Sequence, residues 1–225
     1  QVFGYYDHNM LVMSERISDH LPKTKKFHPK QRLWYIRANE VLISSGSIER
    51  PIVFGNNDTP GVLLSSAAKE YMKVYGVIVG KNPLIFTNND SGYETAVEFK
   101  KNGVEPIILD TRISPKSEII EEAKNLGIKI KYSHVVVAAQ GYKKVKSADI
   151  AKISKDKEEL GEIENIKCDC ICVSGFWTPT IHLASQSGNK TKFNEKIDAF
   201  VPGISKQNEK TIGAANGSFK LEDTL

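Results

Sequence analysis

Three apolar segments separated by polar residues in the first forty positions predict an antiparallel β-sheet. Residues 2–6 and 10–17 are rich in the apolar and aromatic residues that favour strands. Residues 7–9 are Asp, His and Asn, which suit a tight turn because short polar side chains tolerate its backbone angles. After a polar, lysine-rich loop, residues 32–37 give a third apolar strand. Together these segments predict a small antiparallel β-meander.

The pattern then changes to a short strand, an irregular stretch and a helix. Residues 40–46 form an apolar run that ends in small residues, and residues 49–62 contain several proline and glycine turn signals. Ser65 or Ser66 is a suitable helix N-cap, and apolar spacing predicts a helix to about Val74. We expect its inner face to consist of Leu64, Ala67, Ala68, Tyr71 and Val74.

From residue 81 onward, apolar strands alternate with helical segments. The predicted strands are 83–86, 104–109 and 128–130, and the predicted helices are 93–101 and 117–125. Asn102-Gly103 and Gly127 are typical helix-stop residues. This order predicts a right-handed βαβαβ unit with a parallel sheet. Residues 135–140 and 143–150 predict a β-hairpin after it.

In the last third of the chain, short strands again run into glycine and other small residues. Residues 168–174 form a strand that runs into Gly175, residues 193–201 contain a short strand, and residues 211–212 lead into 213–217. The predicted fold class is therefore α/β, with two dinucleotide-binding-type three-layer lobes, the second inserted in the first, and a small antiparallel β-meander. We expect residues 1–76 and 161–225 to form a split outer domain of flavin or NAD type. Residues 77–160 are expected to be the inserted Rossmann-like βαβαβ domain.

Composition narrows the functional classes. The chain is 40% hydrophobic and 26% charged, with a net charge of +4, and no apolar run reaches the roughly 18 residues of a membrane span. Lysine clusters at 23–30 and 143–157 are interpreted as solvated loops, since nucleic-acid surfaces show a denser basic stripe. We expect a cytoplasmic protein without nucleic-acid or membrane partners. Because Gln1 is followed by strand-like residues, Gln1 and Leu225 are interpreted as cuts in a longer protein.

The cysteines Cys168, Cys170 and Cys172 alternate with other residues, which predicts that all three lie on one face of a strand. A structural zinc site would more often pair a CxxC knuckle with a second pair, and no second pair exists in the sequence. A disulfide between neighbours two apart is disfavoured because their Cα atoms lie roughly 6.5–7 Å apart. We expect buried, reduced thiols and no metal site.

A first nucleotide site is suggested by the βαβαβ unit. Aligning its first strand and helix with a G-x-G-x-x-G turn places Thr87, Asn89 and Gly92 at the three glycine positions. Asp110 ends the second strand, where an acidic residue binds ribose hydroxyls. Side chains at Thr87 and Asn89 would crowd a pyrophosphate, so these four residues are secondary candidates, and we expect the lobe to be structural.

Small residues at strand ends suggest further sites. Ser44-Ser45-Gly46 and Ser174-Gly175 let the main chain pass close to another backbone or to a ligand. Gly213-Ala214-Ala215-Asn216-Gly217 follows a strand and can present free N–H groups to a phosphate or ribityl chain. Each of these segments is also compatible with a simple tight turn.

Several motifs, taken in order, resemble a known family. The resemblance rests on Glu49-Arg50-Pro51 after Ser44-Ser45-Gly46, on NNDTPGV at 56–62, and on VFGYYDHN (2–9), RLWYIR (32–37), FTNNDS (86–91), VSGFWTPTIHL (173–183), SQSG (185–188) and GAANG (213–217). Together they resemble the pyridine nucleotide–disulfide oxidoreductase superfamily, and within it the alpha subunits of heterotetrameric sarcosine oxidases. The resemblance covers essentially the whole chain.

The resemblance implies a subunit that holds NAD in its outer, flavin-type domain, with FAD in a beta subunit, FMN between the two, and gamma and delta partners. It implies tetrahydrofolate binding through a domain absent from this chain. The cofactor-facing positions carried over are Ser45, Gly46, Gly213, Ala214, Ala215 and Asn216. The family's N-terminal G-x-G-x-x-G segment is absent from this sequence. Catalysis is then expected on another chain, and this segment alone is expected to be inactive.

Two other functions stay open from the sequence. One is an NAD(P)H-dependent flavoprotein reductase, which would require glycines at positions 87 and 89. The other is a non-catalytic nucleotide-binding scaffold subunit. His8 and His182 are interpreted as turn or packing residues, because no nucleophile or carboxylate stands at a diagnostic spacing. Trp34 and Trp177 are expected to be core aromatics, and the absence of a CxxC pair from the sequence argues against dithiol chemistry.

Overall fold

The computed structural model describes residues 1–156 and 158–219. Lys157, which ends the second lysine cluster, and the predicted chain end at 222–225 lie outside the described residues. The first elements are β1 (Val2–Tyr6), β2 (Met10–Arg16), β3 (Gln31–Arg37), β4 (Val41–Ile43), β5 (Ser47–Glu49), β6 (Val62–Leu64), α1 (Ser65–Tyr75), β7 (Pro83–Thr87), α2 (Ser91–Lys101), β8 (Ile107–Asp110) and α3 (Glu118–Asn125). They are followed by β9 (Lys129–Tyr132), β10 (His134–Gln140), β11 (Ser147–Ile153), β12 (Leu160–Lys167), β13 (Cys170–Ser174), β14 (Trp177–Pro179), α4 (His182–Gln186), β15 (Thr191–Asn194), β16 (Ala199–Pro202), β17 (Glu209–Thr211) and a 3₁₀ turn (Gly213–Asn216).

The chain divides into two compact units. The outer unit comprises Gln1–Ile48 and Trp177–Leu225, and the central unit comprises Glu49–Phe176. The central unit is thus larger than the predicted inserted domain of residues 77–160. The physical reason is that β13 pairs in parallel with both β6 and β7, so residues assigned by sequence to the outer domain complete the central sheet.

In the outer unit, β1, β2 and β3 form the predicted antiparallel meander. His8 and Asn9 have φ angles of 59° and 51°, so the predicted turn uses the left-handed region that short polar residues enter most readily. Strands β4 and β17 pair in parallel, with Thr211 opposite Ile43. Val41 and Ile43 of β4 form a small core with Tyr5 and Ala184.

The central unit has three layers around a parallel sheet of order β6-β13-β7-β8-β9. The predicted βαβαβ segment is confirmed, since β7, β8 and β9 are parallel and joined by α2 and α3. One face of the sheet, with Ile85 and Ile108, packs on the helices. The other face, with Leu84 and Phe86, packs on the antiparallel sheet β10-β11-β12. The predicted hairpin gains a third strand, β12, which the pattern missed because most of its residues are exposed.

Three packing predictions were wrong. Helix α1 buries Ser65, Ala68 and Met72, whereas Tyr71 is 47% exposed and Val74 66% exposed. This helix packs against α2 and β13, with Ala68 and Met72 in the core, so the part of the predicted stripe that holds Tyr71 and Val74 faces solvent. Trp34 is 40% exposed, because β3 is an edge strand whose residues are all exposed.

The cysteines form the third error. Cys168 packs on the same side of the sheet as Leu84, whereas Cys170 and Cys172 pack on the helical side. Cys168 precedes β13, so the two-residue alternation of the strand does not extend to it. All three thiols are free and buried, as predicted.

No helix within residues 1–156 and 158–219 is long and apolar enough to cross a membrane. In the same part of the chain, no group of three His, Cys, Asp or Glu residues could hold a metal ion.

Candidate functional site: two strand ends compared

The end of β7 is filled by its own side chains. The Thr87 hydroxyl donates to the main-chain oxygen of Asn89 at 2.9 Å and accepts from the Asn89 N–H at 3.1 Å. Both residues are buried, with exposures of 0% and 7%. The turn that a glycine-rich loop would leave open for a phosphate is therefore closed by a local side-chain ring of hydrogen bonds.

The Asn89 side chain occupies the space in front of helix α2. Its Oδ1 accepts from the Ser91 N–H at 2.9 Å and from the Ser91 hydroxyl. Its Nδ2 donates to the main-chain oxygen of Ser174 at 3.0 Å and to the Ser174 hydroxyl oxygen at 3.1 Å. A protein amide thus satisfies a helix N-terminal N–H that would otherwise be offered to an anion.

The Asp110 carboxylate is occupied too. It is fully buried and accepts from the Tyr93 hydroxyl at 2.7 Å, the Arg112 N–H at 2.9 Å and the Arg112 guanidinium at 2.8 Å. Arg112 also donates to Asp90 at 2.8 Å. Burial and the hydrogen bond to Asp110 raise the pKa of Tyr93 well above its ordinary value. Although burial opposes it, hydrogen bonds to Asp110 and Asp90 raise the pKa of Arg112.

Gly92 keeps a packing role. A Cβ at this position would lie 2.6 Å from the Thr87 Cβ, so the helix and the strand end touch here. The sequence placed Thr87, Asn89, Gly92 and Asp110 at one site, and the structure does bring them together. It also adds Ser91, Arg112 and Ser174, which sequence reasoning missed as members of this cluster. The signal for Arg112 was its position two residues after Asp110, within reach of that carboxylate.

The outer unit has a different strand end. Because β4 and β17 are parallel and in register, Ser44-Ser45-Gly46 and Gly213-Ala214-Ala215-Asn216 both begin at the carboxyl edge of this pair. The Ile212 N–H donates to the Ile43 oxygen at 2.9 Å and extends the ladder to that edge. Ligands of open α/β sheets bind outside the carboxyl ends of strands, and this edge is the stronger candidate because the carboxyl end of β7 is filled by Thr87 and Asn89.

Gly46 leaves room at this edge. It has a φ of +73°, and a Cβ built on it would meet no atom of the described residues within 4 Å. The Ser45 hydroxyl donates to the Thr180 oxygen at 2.7 Å, and the Thr180 N–H donates to the Gly46 oxygen at 2.9 Å. These two bonds fix the turn and leave its outer side open.

The segment after β17 is a short 3₁₀ turn that begins at Gly213, with a φ of +64°, and is followed by the C-cap Gly217, with a φ of +84°. Ala215 is fully buried, so it packs the turn and does not face a ligand. Asn216 is exposed, and Gly213 and Ala214 are partly exposed. The reachable candidate residues are therefore Ser45, Gly46, Gly213, Ala214 and Asn216.

The second strand-to-glycine turn is a main-chain crossing. The Gly175 N–H donates to the Arg50 oxygen at 2.7 Å, and the Arg50 N–H donates to the Phe176 oxygen at 2.8 Å. A Cβ on Gly175 would lie 2.7 Å from the Arg50 oxygen and 3.0 Å from the Pro51 oxygen. Gly175 thus serves a close approach of two backbones, in contrast to the open turn at Gly46.

The remaining chemistry-bearing residues do not join either strand end. His8 and His182 are exposed. Burial raises the pKa of Cys168 to about 12, and the hydrogen bond with Cys170 together with burial raises the pKa of Cys172 well above its ordinary value. The Cys170 and Cys172 sulfurs lie 3.4 Å apart in the core. Buried thiols that stay protonated are poor nucleophiles, which agrees with a packing role.

Sequence comparison shows which known proteins the chain resembles. No family model matches the chain. It is 34% identical over 227 residues to the sarcosine oxidase subunit alpha of Corynebacterium sp. strain P-1, covering all of this chain and 23% of that subunit. It is also 34% identical over 221 residues to the corresponding subunit of Rhizobium meliloti strain 1021, covering 95% of this chain and 21% of that subunit. The chain thus spans less than a quarter of the curated relatives that it matches.

Solved structures share the fold at low sequence identity. L-proline dehydrogenase from P. horikoshii has a TM-score of 0.60 at 20% identity, over 96% of this chain and 35% of that chain. Thioredoxin reductase from T. acidophilum has a TM-score of 0.67 at 16% identity, over 86% and 64%. An FAD-dependent pyridine nucleotide-disulphide oxidoreductase from Desulfovibrio vulgaris has a TM-score of 0.55 at 14% identity, over 89% and 51%. The chain is therefore related over its full length to a segment of the sarcosine oxidase alpha subunit, and its α/β fold is of the pyridine nucleotide-disulphide oxidoreductase type.

Proposed function

We propose that this chain is the part of a sarcosine oxidase-like alpha subunit that holds NAD at the strand ends of its outer unit. The observation that carries the proposal is the contrast between the two strand ends. At β4 and β17, small residues border open space at Gly46. At β7, the corresponding space is taken by Thr87 and Asn89.

The residues at the outer edge fit a dinucleotide in kind. Gly46 and Gly213 allow a ligand to approach the main chain closely, since neither carries a side chain. Asn216 offers an exposed amide that can donate to and accept from ribose hydroxyls or phosphate oxygens. When bound, NAD supplies hydride-transfer chemistry, and these residues bind and orient it.

The likeness to sarcosine oxidase alpha subunits supports a proposal for the wider function. We propose that the full assembly carries out oxidative demethylation of sarcosine, with FAD in a beta subunit, FMN at the boundary, and gamma and delta subunits as further partners. Tetrahydrofolate would bind through a domain outside this chain. The part of the chain described here places no histidine or cysteine at either strand end, which supports catalysis on a partner chain.

The two alternatives make different demands on the same geometry. An NAD(P)H-dependent flavoprotein reductase needs a nucleotide on the central unit, where Asn89, Asp110 and Arg112 already fill the site with mutual hydrogen bonds. A non-catalytic scaffold needs no bound nucleotide at all, so binding measurements separate it from the proposal.

The test is calorimetric titration of the full-length subunit with NAD, FAD and ATP. We expect NAD to bind, Asn216→Ala to weaken it about tenfold by removing hydrogen bonds to the ligand, and Gly46→Val to weaken it further. Asn216 is exposed, so its variant should keep the wild-type melting temperature even if Gly46→Val misfolds. The matched control, Asn88→Ala, changes an exposed asparagine at the filled strand end and should leave NAD affinity unchanged.

The outcomes divide the hypotheses. Binding of none of the three ligands would favour the scaffold, and tight FAD binding to this subunit would contradict the proposal. NAD binding that Asn216→Ala leaves unchanged would move the site away from the outer strand ends.

A further inference from the structure

The segment between β2 and β3 concentrates positive charge. Residues 20–39 contain no Asp or Glu and carry the cationic side chains Lys23, Lys25, Lys26, Lys30, Arg32 and Arg37. The whole chain has a net charge of only +4, so this segment is much more basic than the rest. A local excess of this kind attracts an acidic partner over a distance of about one Debye length, roughly 8–10 Å.

The base of this segment is fixed and its tip projects. Ser18 is buried, and its hydroxyl donates to the Pro29 oxygen at 2.8 Å. The Ile17 N–H donates to the Lys30 oxygen at 3.0 Å. Every residue from 21 to 30, which we call the basic loop, is exposed. The loop is thus held at its two ends and presents its middle to solvent.

Phe27 stands at the middle of the basic loop. It is 93% exposed and has a φ of +65°, a left-handed conformation that is unusual for a bulky residue. The Lys26 ammonium lies over the Phe27 ring, 5.2 Å from the ring centroid. Packing among residues 1–156 and 158–219 does not account for an aromatic ring placed in this way, and such outliers motivate a search for a functional contact.

We propose that the basic loop is a docking element that seats Phe27 in an apolar pocket on an acidic surface of another subunit. This inference rests on the proposed function, because that function places the chain in a hetero-oligomer. Aromatic side chains are frequent anchors at the centre of protein interfaces, and surrounding charges accelerate encounter and fix orientation. Phe27 has the position of the anchor, and Lys23, Lys25 and Lys30 have the positions of the rim.

Other anionic partners fit the loop less well. Stable anchoring to lipid needs more apolar area than one aromatic side chain supplies. Nucleic-acid surfaces extend a basic stripe along a face or helix, whereas this charge is confined to one loop and the adjoining edge strand. The sequence-based interpretation as a plain solvated loop accounts for the lysines but not for Phe27.

The experiment uses the complete assembly, with the alpha subunit co-expressed with its beta, gamma and delta partners. The variants are Phe27→Ser and the quadruple change of Lys23, Lys25, Lys26 and Lys30 to Gln. Subunit association is measured by mass photometry at low and high salt. We expect Phe27→Ser to weaken association about tenfold or more at both salt concentrations. We expect the lysine variant to weaken it mainly at low salt, because salt screens the wild-type attraction.

A matched control comes from the loop between β10 and β11. Tyr142 there is 92% exposed and is followed by Lys143 and Lys144, so it has a similar local composition. Tyr142→Ser and the change of both lysines to Gln should leave association unchanged. All variants alter exposed side chains, so melting temperatures should match the wild type.

Equal losses in the basic loop and in the control loop would overturn the proposal, as would unchanged association of both basic-loop variants. Binding of the wild-type subunit to phosphatidylglycerol vesicles that Phe27→Ser abolishes, with association intact, would assign the loop to lipid instead. The proposed function is tested by calorimetric NAD titration and docking by mass photometry. A failure of NAD binding can therefore be distinguished from a failure of docking.

Discussion

The outer and central units each contain parallel strands that end in a turn of small or polar residues, yet the two turns do opposite things. At β4 and β17 the turn is held from one side by the Ser45 and Thr180 bonds, and its other side is open at Gly46. At β7 the turn is closed by Thr87, Asn89 and Ser174. The difference is that glycine has no side chain with which to form hydrogen bonds. The asparagine side chain, in contrast, satisfies the same main-chain groups that a phosphate would bind.

The comparison teaches that the carboxyl end of a parallel strand can either be filled by internal polar contacts or be left open. Asp110 still ends its strand, but its carboxylate oxygens accept from Tyr93 and Arg112. A buried carboxylate needs such donors, because leaving it unpaired away from water is costly. The hydrogen bonds of Asp110 therefore contribute to the folding energy of the central unit.

The largest effect is expected for Asp110→Ala. This change leaves the Tyr93 hydroxyl and the Arg112 guanidinium without their shared acceptor inside the protein. We expect the free energy of unfolding of the central unit to fall by about 4 kcal/mol. Urea denaturation followed by hydrogen exchange resolves the loss by unit. Asp58→Ala, at an exposed position of the same unit, should change stability by less than about 0.5 kcal/mol. A small effect of Asp110→Ala would mean that the filled site does not hold the fold together.

The two glycine turns give the next test. Gly175→Ala forces a Cβ against the Arg50 and Pro51 oxygens, which belong to the main chain and cannot rotate away. We expect a loss of about 3 kcal/mol, at the upper end of overpacking effects. Gly46→Ala meets no neighbour and suffers only from its positive φ, so its cost should be about 1 kcal/mol. Thermal unfolding of both variants checks the order, and equal costs would contradict the distinction between an open turn and a crossing.

Asn89→Ala should have an intermediate effect. It removes the amide that caps α2 and bonds Ser174, and a cap of this kind contributes about 2 kcal/mol at most. We also expect no NAD binding by the central unit of this variant, because the Asp110 carboxylate still accepts hydrogen bonds from Arg112 and cannot bind ribose hydroxyls. Calorimetric titration compares a subunit that carries both Asn89→Ala and Asn216→Ala with one that carries Asn216→Ala alone. A second NAD site found only in the double variant would show that Asn89 alone closes the strand end of β7.

The sequence predicted the elements better than the contacts between them. The meander, the βαβαβ segment and helix α1 followed from apolar spacing, which depends on local chain geometry. The inner face of α1 did not, because Tyr71 and Val74 are as apolar as Met72, and only the packed neighbours decide which stripe is buried. The domain boundary likewise depended on a long-range pairing of β13 with β6 that no local pattern records.

The candidate site shows the same division. The spacing of a strand and a helix predicted the positions of Thr87, Asn89 and Asp110. The side chains that Thr87 and Asn89 have in place of glycine predicted that a phosphate would be crowded there. Ser174 completes the cluster although it lies 85 residues from Asn89 in the sequence, because β13 lies beside β7. At the outer edge, the sequence could not distinguish Ala214 from Ala215, since burial of Ala215 depends on the packing of the 3₁₀ turn.

The smallest effect is expected from alkaline pH, and it should differ between the units. In the central unit, burial raises the pKa of Cys168 from 9.0 to about 12. In the outer unit, burial, with Glu209 nearby, raises the pKa of Tyr5 from 10.0 to about 12. Both groups are neutral when folded, so each contributes stability that is complete below its unfolded pKa and is lost as pH rises towards about 12.

The central unit should therefore begin to lose stability above about pH 9, and the outer unit only above about pH 10. Hydrogen exchange in moderate urea at pH 8, 9.5 and 10.5 follows each unit through its own amides, after correction for the intrinsic exchange rate. Tyr5→Phe should flatten the alkaline slope of the outer unit without changing that of the central unit. Replacing Cys168 and Cys172 with Ala should flatten the slope of the central unit between pH 8 and 9.5, since the hydrogen bond with Cys170 and burial also raise the pKa of Cys172. The slope of the central unit above about pH 10 should remain, because burial raises the pKa of Tyr93 as well. Slopes that respond equally to both variants would mean that the two units unfold as one, and the contrast between their strand ends would then have to be tested by ligand binding alone.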